Sequence, residues 1–397
     1  MVSTVTSSTD WRHQAVPGLG YDGVVKVTAG AYYGTGTLLA DGRAVLTAAH
    51  LFDPGVETAQ VTFETSAGVQ TRAASQVTLH PAYDAFNGNH DLALVWLDRP
   101  APVAAERYAL YRDTDELGQA FTLVGFGLPG SGATGIVDGG AIRRLAVNTF
   151  DTGGEALTAE LGLFLGWTPA PGSQLLADFD DGSARRDAIG QLLDVAHAGV
   201  GEQEGLISFG DSGGPAFIDG RVAGVASYTA SLATGFAQPD VDTLANSSFG
   251  EIAAWQRVSH YQQWIDQSLR LRYPAAPETT GAVQEAVAEG DDGTGYAYFL
   301  LEFSGLRPSP GSWVAVDYAT RDGTAVAGED YLAVRDTLVL YPGEDQAVIA
   351  VEVIGDVRPE ADEHFFLDVF SPSGGGFEGG VTRLSASRTI VDDDWLG

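Results

Sequence analysis

Short apolar runs broken by Gly, Asp or Pro recur along most of the 397-residue chain. GVVKVTAG (23–30), RAVLTAAH (43–50), VQTRAASQVTLH (69–80), DLALVWL (91–97), QAFTLVGFG (119–127) and RVAGVASY (221–228) are rich in β-branched and aromatic residues and of strand length. Several are continuously apolar rather than alternating, the pattern of strands buried in a barrel or sandwich core. One segment has helical period instead. In SHYQQWIDQSLRLRYP, Tyr261, Trp264, Ile265 and Leu269 fall on one face, Ser259 is placed to cap the start, and Pro274 ends the run. Residues 130–205 are less regular and read as extended loops or insertions.

PAAPETTGA follows the helix, and its Pro, Thr and Gly content marks a linker. Beyond it the pattern changes to period-two strands with more acids, closing on DDD. The organisation expected is an N-terminal extension (1–21), a first domain (22–273), a linker (274–281) and a second domain (282–397).

Charge narrows the function classes. Lys and Arg number 21 against 53 Asp and Glu, a net of −32, and Lys26 is the sole lysine. Such a chain repels nucleic-acid backbones and anionic membranes. It suits a saline or calcium-containing medium, with biased genomic composition as the other source of the imbalance. Cysteine is absent, so disulfides do not stabilise the fold. No apolar stretch is long enough for a transmembrane helix. Residues 1–10 lack the basic start and apolar run of a signal peptide, so a secreted location, the one expected, would need a trimmed or different signal.

Three motifs carry candidate chemistry. LTAAH places His50 at the end of an apolar strand, GNHDLALVWL places Asp91 at the start of another, and LISFGDSGGPAF places Ser212 among three glycines. A serine hydroxyl needs a base to become a nucleophile, and the base needs an orienting acid. His, Asp and Ser in this order form one of the chain orders that build that constellation. Singly, each motif also reads as core histidine, ordinary strand or glycine turn.

Together they resemble the trypsin-like (chymotrypsin-fold) serine proteases over roughly residues 22–270. The resemblance implies an all-β unit of two six-stranded antiparallel barrels with a C-terminal helix. It implies catalysis by His50, Asp91 and Ser212, and an oxyanion hole from the Gly210 and Ser212 N–H groups. No cofactor is expected for catalysis. Gly213 and Gly214 would allow close packing behind the nucleophile. Asp211 would be paired in the active form, either with an amine freed near residue 15 or with another donor and no zymogen step. By family register Leu206 floors the specificity pocket, with Ser227, Tyr228 and Thr229 as its wall. An apolar floor and a mouth narrowed by Thr229 favour uncharged side chains, and Glu204 or Glu202 would favour basic ones if the register slips. His90 is the other histidine expected near the cleft.

VDYATRDGTAVAGEDYLAV (316–334), VIGDVRPEADEHFFLDVF (353–370) and RTIVDDD (388–394) resemble a Calx-beta domain, an immunoglobulin-like β-sandwich. The resemblance implies calcium at one end, with Glu289, Asp330, Asp356, Glu360, Glu363, Asp392, Asp393, Asp394 and the Arg358 carbonyl as ligands. Ca²⁺ takes six to eight oxygens, and crowded carboxylates repel without a cation. Gly355 stands where calcium-binding relatives often carry another acid. The bland alternative is a solvated acidic end. DFDDG (178–182) lacks the full EF-hand spacing and reads as a surface loop, with a calcium loop as the alternative. The whole reads as a secreted serine endopeptidase acting on proteins or peptides. Its sandwich would add stability or tether it to a cell surface or matrix. The rival reading is an inert surface adhesion or calcium-scaffold protein.

Overall fold

The computed structural model describes residues 2–52, 55–56 and 58–394. The chain divides into two compact units, Met1–Leu39 with Arg43–Gln262, and Ala40–Gly42 with Gln263–Gly397.

The first unit holds two large β-systems and, among the described residues, a small four-stranded sheet of two-residue strands. Strands Val24–Ala29, Tyr32–Leu38, Ala44–Thr47, Ala93–Leu97, Gly68–Leu79 and Gln60–Thr65 pair in that order and close into a barrel. Its antiparallel ladders are filled by Val25, Val27, Leu38, Val45, Phe63 and Val95. The six apolar runs read from sequence all contain strands.

The second system is a seven-stranded sheet in the order Arg144–Thr149, Ala120–Gly125, Pro215–Ile218, Arg221–Ala230, Ile252–Arg257, Gln174–Asp178, Thr152–Gly153. Its two edge strands are separated in the chain by only Phe150 and Asp151. Counted as one bent strand they leave six, and the ring closes through the chain rather than through a hydrogen-bond ladder. This differs in detail from a second closed barrel. Phe121 stacks on Phe150 with centroids 3.9 Å apart, and both pack edge-on against the fully buried Trp255.

Residues 130–205 are more regular than their composition suggests. They supply three strands of that sheet and the short helices Glu155–Leu161 and Ala188–Leu193. The N-terminal residues are also built in. Ser3–Thr4 pairs with Gly205–Leu206 and with Gly130–Ser131, and Val2 lies in the second core. Arg143, fully buried, pairs with Asp22 at 2.6 Å and donates to the carbonyls of Val24 and Glu64.

The helix runs Val258–Arg270 and buries Tyr261, Ile265 and Leu269, while Trp264 is half-buried. Ser259 does not cap it. The residue lies inside the first turn, where its hydroxyl donates to Glu116 at 2.6 Å, and Glu116 also receives Arg257.

In the second unit, strands Ala286–Ala288, Arg383–Val391, Glu363–Ser373, Val314–Asp322 and Arg335–Leu340 form one sheet, and Thr294–Glu302 with Gln346–Ile354 the other. Alternating residues meet between them, with Phe299, Ile349, Phe365 and Leu367 in the core and Tyr331 stacked on Phe365 at 4.5 Å. The fold class is that expected, all-β with a terminal sandwich.

Candidate active site

His50 sits in the single 3-10 turn Ala49–Phe52 that follows strand Ala44–Thr47. Asp91 lies just before strand Ala93–Leu97, after His90 at φ +54°. The two meet closely. His50 Nδ1 is 2.7 Å from Asp91 Oδ2, and the His50 backbone N–H donates to Asp91 Oδ1 at 2.8 Å. Asp91 is almost fully buried, whereas the imidazole is about one-third exposed. This arrangement orients the ring, and His50 lines the cleft.

Ser212 and His50 line the same cleft, of about 750 Å³. The loop bearing Ser212 is held from the first barrel by Thr35. The Thr35 N–H donates to the Ser212 carbonyl at 2.8 Å, and its hydroxyl donates to the Gly210 carbonyl at 2.9 Å. The same hydroxyl accepts from Phe126 N–H at 3.0 Å. Sequence reasoning missed Thr35, which looks like one β-branched residue among many.

Two glycines are required by geometry. Gly213, at φ +82°, would place a Cβ 2.0 Å from Thr47 Oγ1. Gly210, at φ +98°, would place one 2.6 Å from the Tyr33 ring. In both, the left-handed backbone also disfavours a side chain.

Asp211 points away into the second barrel and is buried. Its carboxylate accepts from Gly127 N–H and Ser208 N–H, each at 2.8 Å, and from the Ser208 hydroxyl at 3.2 Å. Burial raises its pKa, and the Ser208 hydrogen bonds oppose the rise. Ala15, near which the sequence places a candidate amine, is buried.

Ser227, Tyr228 and Thr229 line the cleft as wall residues. Ser227 has a further contact: its hydroxyl donates to Asp91 Oδ2 at 2.6 Å. A β-bulge between Ala226 and Tyr228 interrupts the ladder there, which re-aims the side chain. Leu206 is a correction. Its side chain is fully buried in the core of the second barrel and Ile207 and Ser208 take the wall positions, a shift of one residue that turns alternate side chains to opposite faces. Glu204 is buried outside the cleft, and Glu202 pairs with Arg12 at 3.1 Å. Among the described lining residues there is no carboxylate, lysine or arginine.

His90 donates to or accepts from Tyr261 at 3.0 Å and stacks on His80. Burial, then His90 and His260, push His80 down to about 4.

At one end of the sandwich the acids converge. Asp330, Glu360 and Glu363 each offer an oxygen within 4.8 Å of the others. Glu289 is pushed up to about 7 by burial, then by Asp356, Glu360, Asp392 and Asp330. Burial, then Asp330, raises Glu363. Burial, then Asp291, Asp392, Asp393 and Asp356, raises Asp394. Backbone amides pre-position several: Glu360 N–H donates to Asp392, Gly290 N–H to Asp393 and Arg358 N–H to Asp356. The Arg358 guanidinium lies 3.3 Å from Glu360. An all-oxygen set with so little positive charge fits a hard divalent cation. Gly355 cannot carry the extra acid, because a Cβ would lie 2.5 Å from the Gly290 carbonyl.

DFDDG is only partly a surface loop: Asp178, Phe179 and Asp180 are buried, and Asp181 and Gly182 are exposed.

Two family models match this chain. The Trypsin family model matches residues 11–143, which include His50 and Asp91, and the Calx-beta domain model matches residues 280–394. The chain therefore carries a trypsin-like domain followed by a Calx-beta domain. Sodium/calcium exchanger 2 of Mus musculus is 35% identical over 156 residues, covering 32% of this chain and 17% of that protein. The Homo sapiens protein of that name is 43% identical over 95 residues, covering 21% and 10%. Sodium/calcium exchanger Calx of Drosophila melanogaster is 37% identical over 86 residues, covering 22% and 9%. The chain thus spans under a fifth of these relatives. Among solved structures, neuropsin, a serine protease expressed in the limbic system of mouse brain, is 18% identical, with TM-score 0.47, over 65% of this chain and 98% of that one. No helix among the described residues is long and apolar enough to cross a membrane.

Proposed function

We propose that the first unit is a serine endopeptidase and that the sandwich binds calcium. The observation that carries the first claim is the His50–Asp91 pair at 2.7 Å in the cleft that Ser212 also lines. In this reading Ser212 Oγ attacks the scissile carbonyl carbon while His50 Nε2 takes its proton. The amide N–H groups of Gly210 and Ser212 stabilise the oxyanion, a contribution of roughly 3 kcal/mol for a single donor. His50 then passes the proton to the leaving amine as the C–N bond breaks. Water repeats the sequence on the acyl-enzyme and releases the acid. Asp91 holds the imidazole in orientation through Nδ1 and stabilises the imidazolium as it forms.

The cleft walls favour uncharged side chains at the cleaved residue, since among the described lining residues no carboxylate stands to meet Arg or Lys. Extended substrate would add as a strand beside Ser227–Thr229. The acidic end of the sandwich would hold Ca²⁺ through Asp330, Glu360 and Glu363 with Glu289 and the 392–394 acids around them. The ion would neutralise charge that otherwise strains the loops. A location outside the cell, where calcium is abundant, fits both units. The test is a panel of peptide substrates. Cleavage after uncharged residues that is lost in Ser212→Ala supports the reading, and strong preference for Arg refutes the pocket assignment.

A further inference from the structure

A second group of acids lies in the trypsin-like domain, outside the cleft. Asp178 ends strand Gln174–Asp178, Asp180 follows it, and Asp187 caps helix Ala188–Leu193. One oxygen from each lies within 4.8 Å of the others, and all three residues are buried. Glu204, 1% exposed, receives the Asp180 N–H at 2.7 Å, and the Asp151 carboxylate is likewise buried. Among the described residues, the only basic side chain paired within 4 Å of these five is His197, 3.5 Å from Asp151.

Backbone amides serve part of the group. Ile189 donates to Asp178, Gly190 and His197 to Asp187, and Val200 to Glu204. They leave Asp180 Oδ1 and Asp151 Oδ2 buried with no hydrogen-bond partner at all. A buried carboxylate oxygen without a partner carries its full desolvation penalty, which is larger for a charged group. Two such oxygens beside three further acids need a positive charge among them.

We propose that these carboxylates form a calcium site in the trypsin-like domain, separate from the acidic end of the sandwich. Oxygens around one Ca²⁺ at about 2.4 Å lie at most about 4.8 Å apart, and one oxygen each of Asp178, Asp180 and Asp187 falls within that limit. Oxygens already accepting an amide keep a second lone pair for the ion. Burial, with the neighbouring acids adding to it, raises the pKa of Asp151, Asp178, Asp180 and Glu204, the response of carboxylates lacking a counter-charge. The ion would anchor the segment entering the cleft. The Glu204 carbonyl accepts Val5 N–H at 3.0 Å, Gly205–Leu206 pairs with Ser3–Thr4, and Ile207 to Gly210 form the cleft wall.

The test is calcium binding by the full chain in equilibrium dialysis. The sandwich acids are first weakened by Asp330→Asn with Glu363→Gln, and Asp180→Asn is then added. Near-ultraviolet circular dichroism checks folding, and Asp151→Asn replaces Asp180→Asn if the latter does not fold. The expected result is that the sandwich variant still binds calcium and that the added substitution removes a bound ion. Calcium binding unchanged by the added substitution overturns the proposal, as does a sandwich variant that binds none.

Discussion

Ser227 donates its hydroxyl to Asp91 Oδ2 at 2.6 Å, the oxygen that His50 Nδ1 approaches at 2.7 Å. Asp91 therefore has three donors, counting the His50 amide, and the carboxylate cannot rotate without breaking them. Ser227→Ala removes one hydrogen bond to a charged group, an interaction of about 1.5–3 kcal/mol. If half of that orients the imidazole, kcat falls about three- to tenfold. Steady-state kinetics check this, with Ser227→Thr expected to restore most of the loss.

Thr35 ties the first barrel to the Ser212 loop through one hydroxyl that donates to Gly210 and accepts from Phe126. Thr35→Val keeps the shape and leaves both groups unpaired, at roughly 1–3 kcal/mol each. Chemical denaturation of the variant should show that loss of stability, and kcat/KM should fall with it as the Gly210 amide is released.

His80 supplies a pH dependence. Its folded pKa, about 4, lies below the usual 6.5 of histidine, so the folded state prefers the neutral ring. The associated stability is full above pH 6.5 and declines as pH falls towards 4, because the unfolded chain then binds the proton first. His90, His260 and Tyr261 face the ring, and burial followed by the two histidines drives the shift. Melting scans across this window should show a steeper acid decline for the wild type than for His80→Gln.

Calcium should raise the melting midpoint of the sandwich, since an ion that binds only the folded state stabilises it. Differential scanning calorimetry with calcium and with a chelator measures the shift, and Glu363→Gln should shrink it. An unchanged sandwich transition would contradict the calcium assignment at that end.

Much of the architecture was legible because it rests on local pattern. The six apolar runs became strands, and the motifs around His50, Asp91 and Ser212 stood out through their chemistry. What was missed depends on distant partners. Ser227 faces Asp91 only because a bulge breaks the alternation. Asp178 and Asp180 look solvated in DFDDG, yet the fold covers them with Glu204 and the helix capped by Asp187. Ser259 has the composition of a cap but finds Glu116. The short helix at 188–193 has too few turns for a period to show, and Ser3–Thr4 is strand only through its pairing with Gly205–Leu206.

Labelling by a fluorophosphonate probe tests the central claim most directly, because the probe reacts only with a serine whose base and oxyanion donors are assembled. The account predicts labelling of the folded wild-type chain and none of Ser212→Ala or His50→Ala. Folded wild-type protein that takes no label, or label that persists in Ser212→Ala, would contradict it.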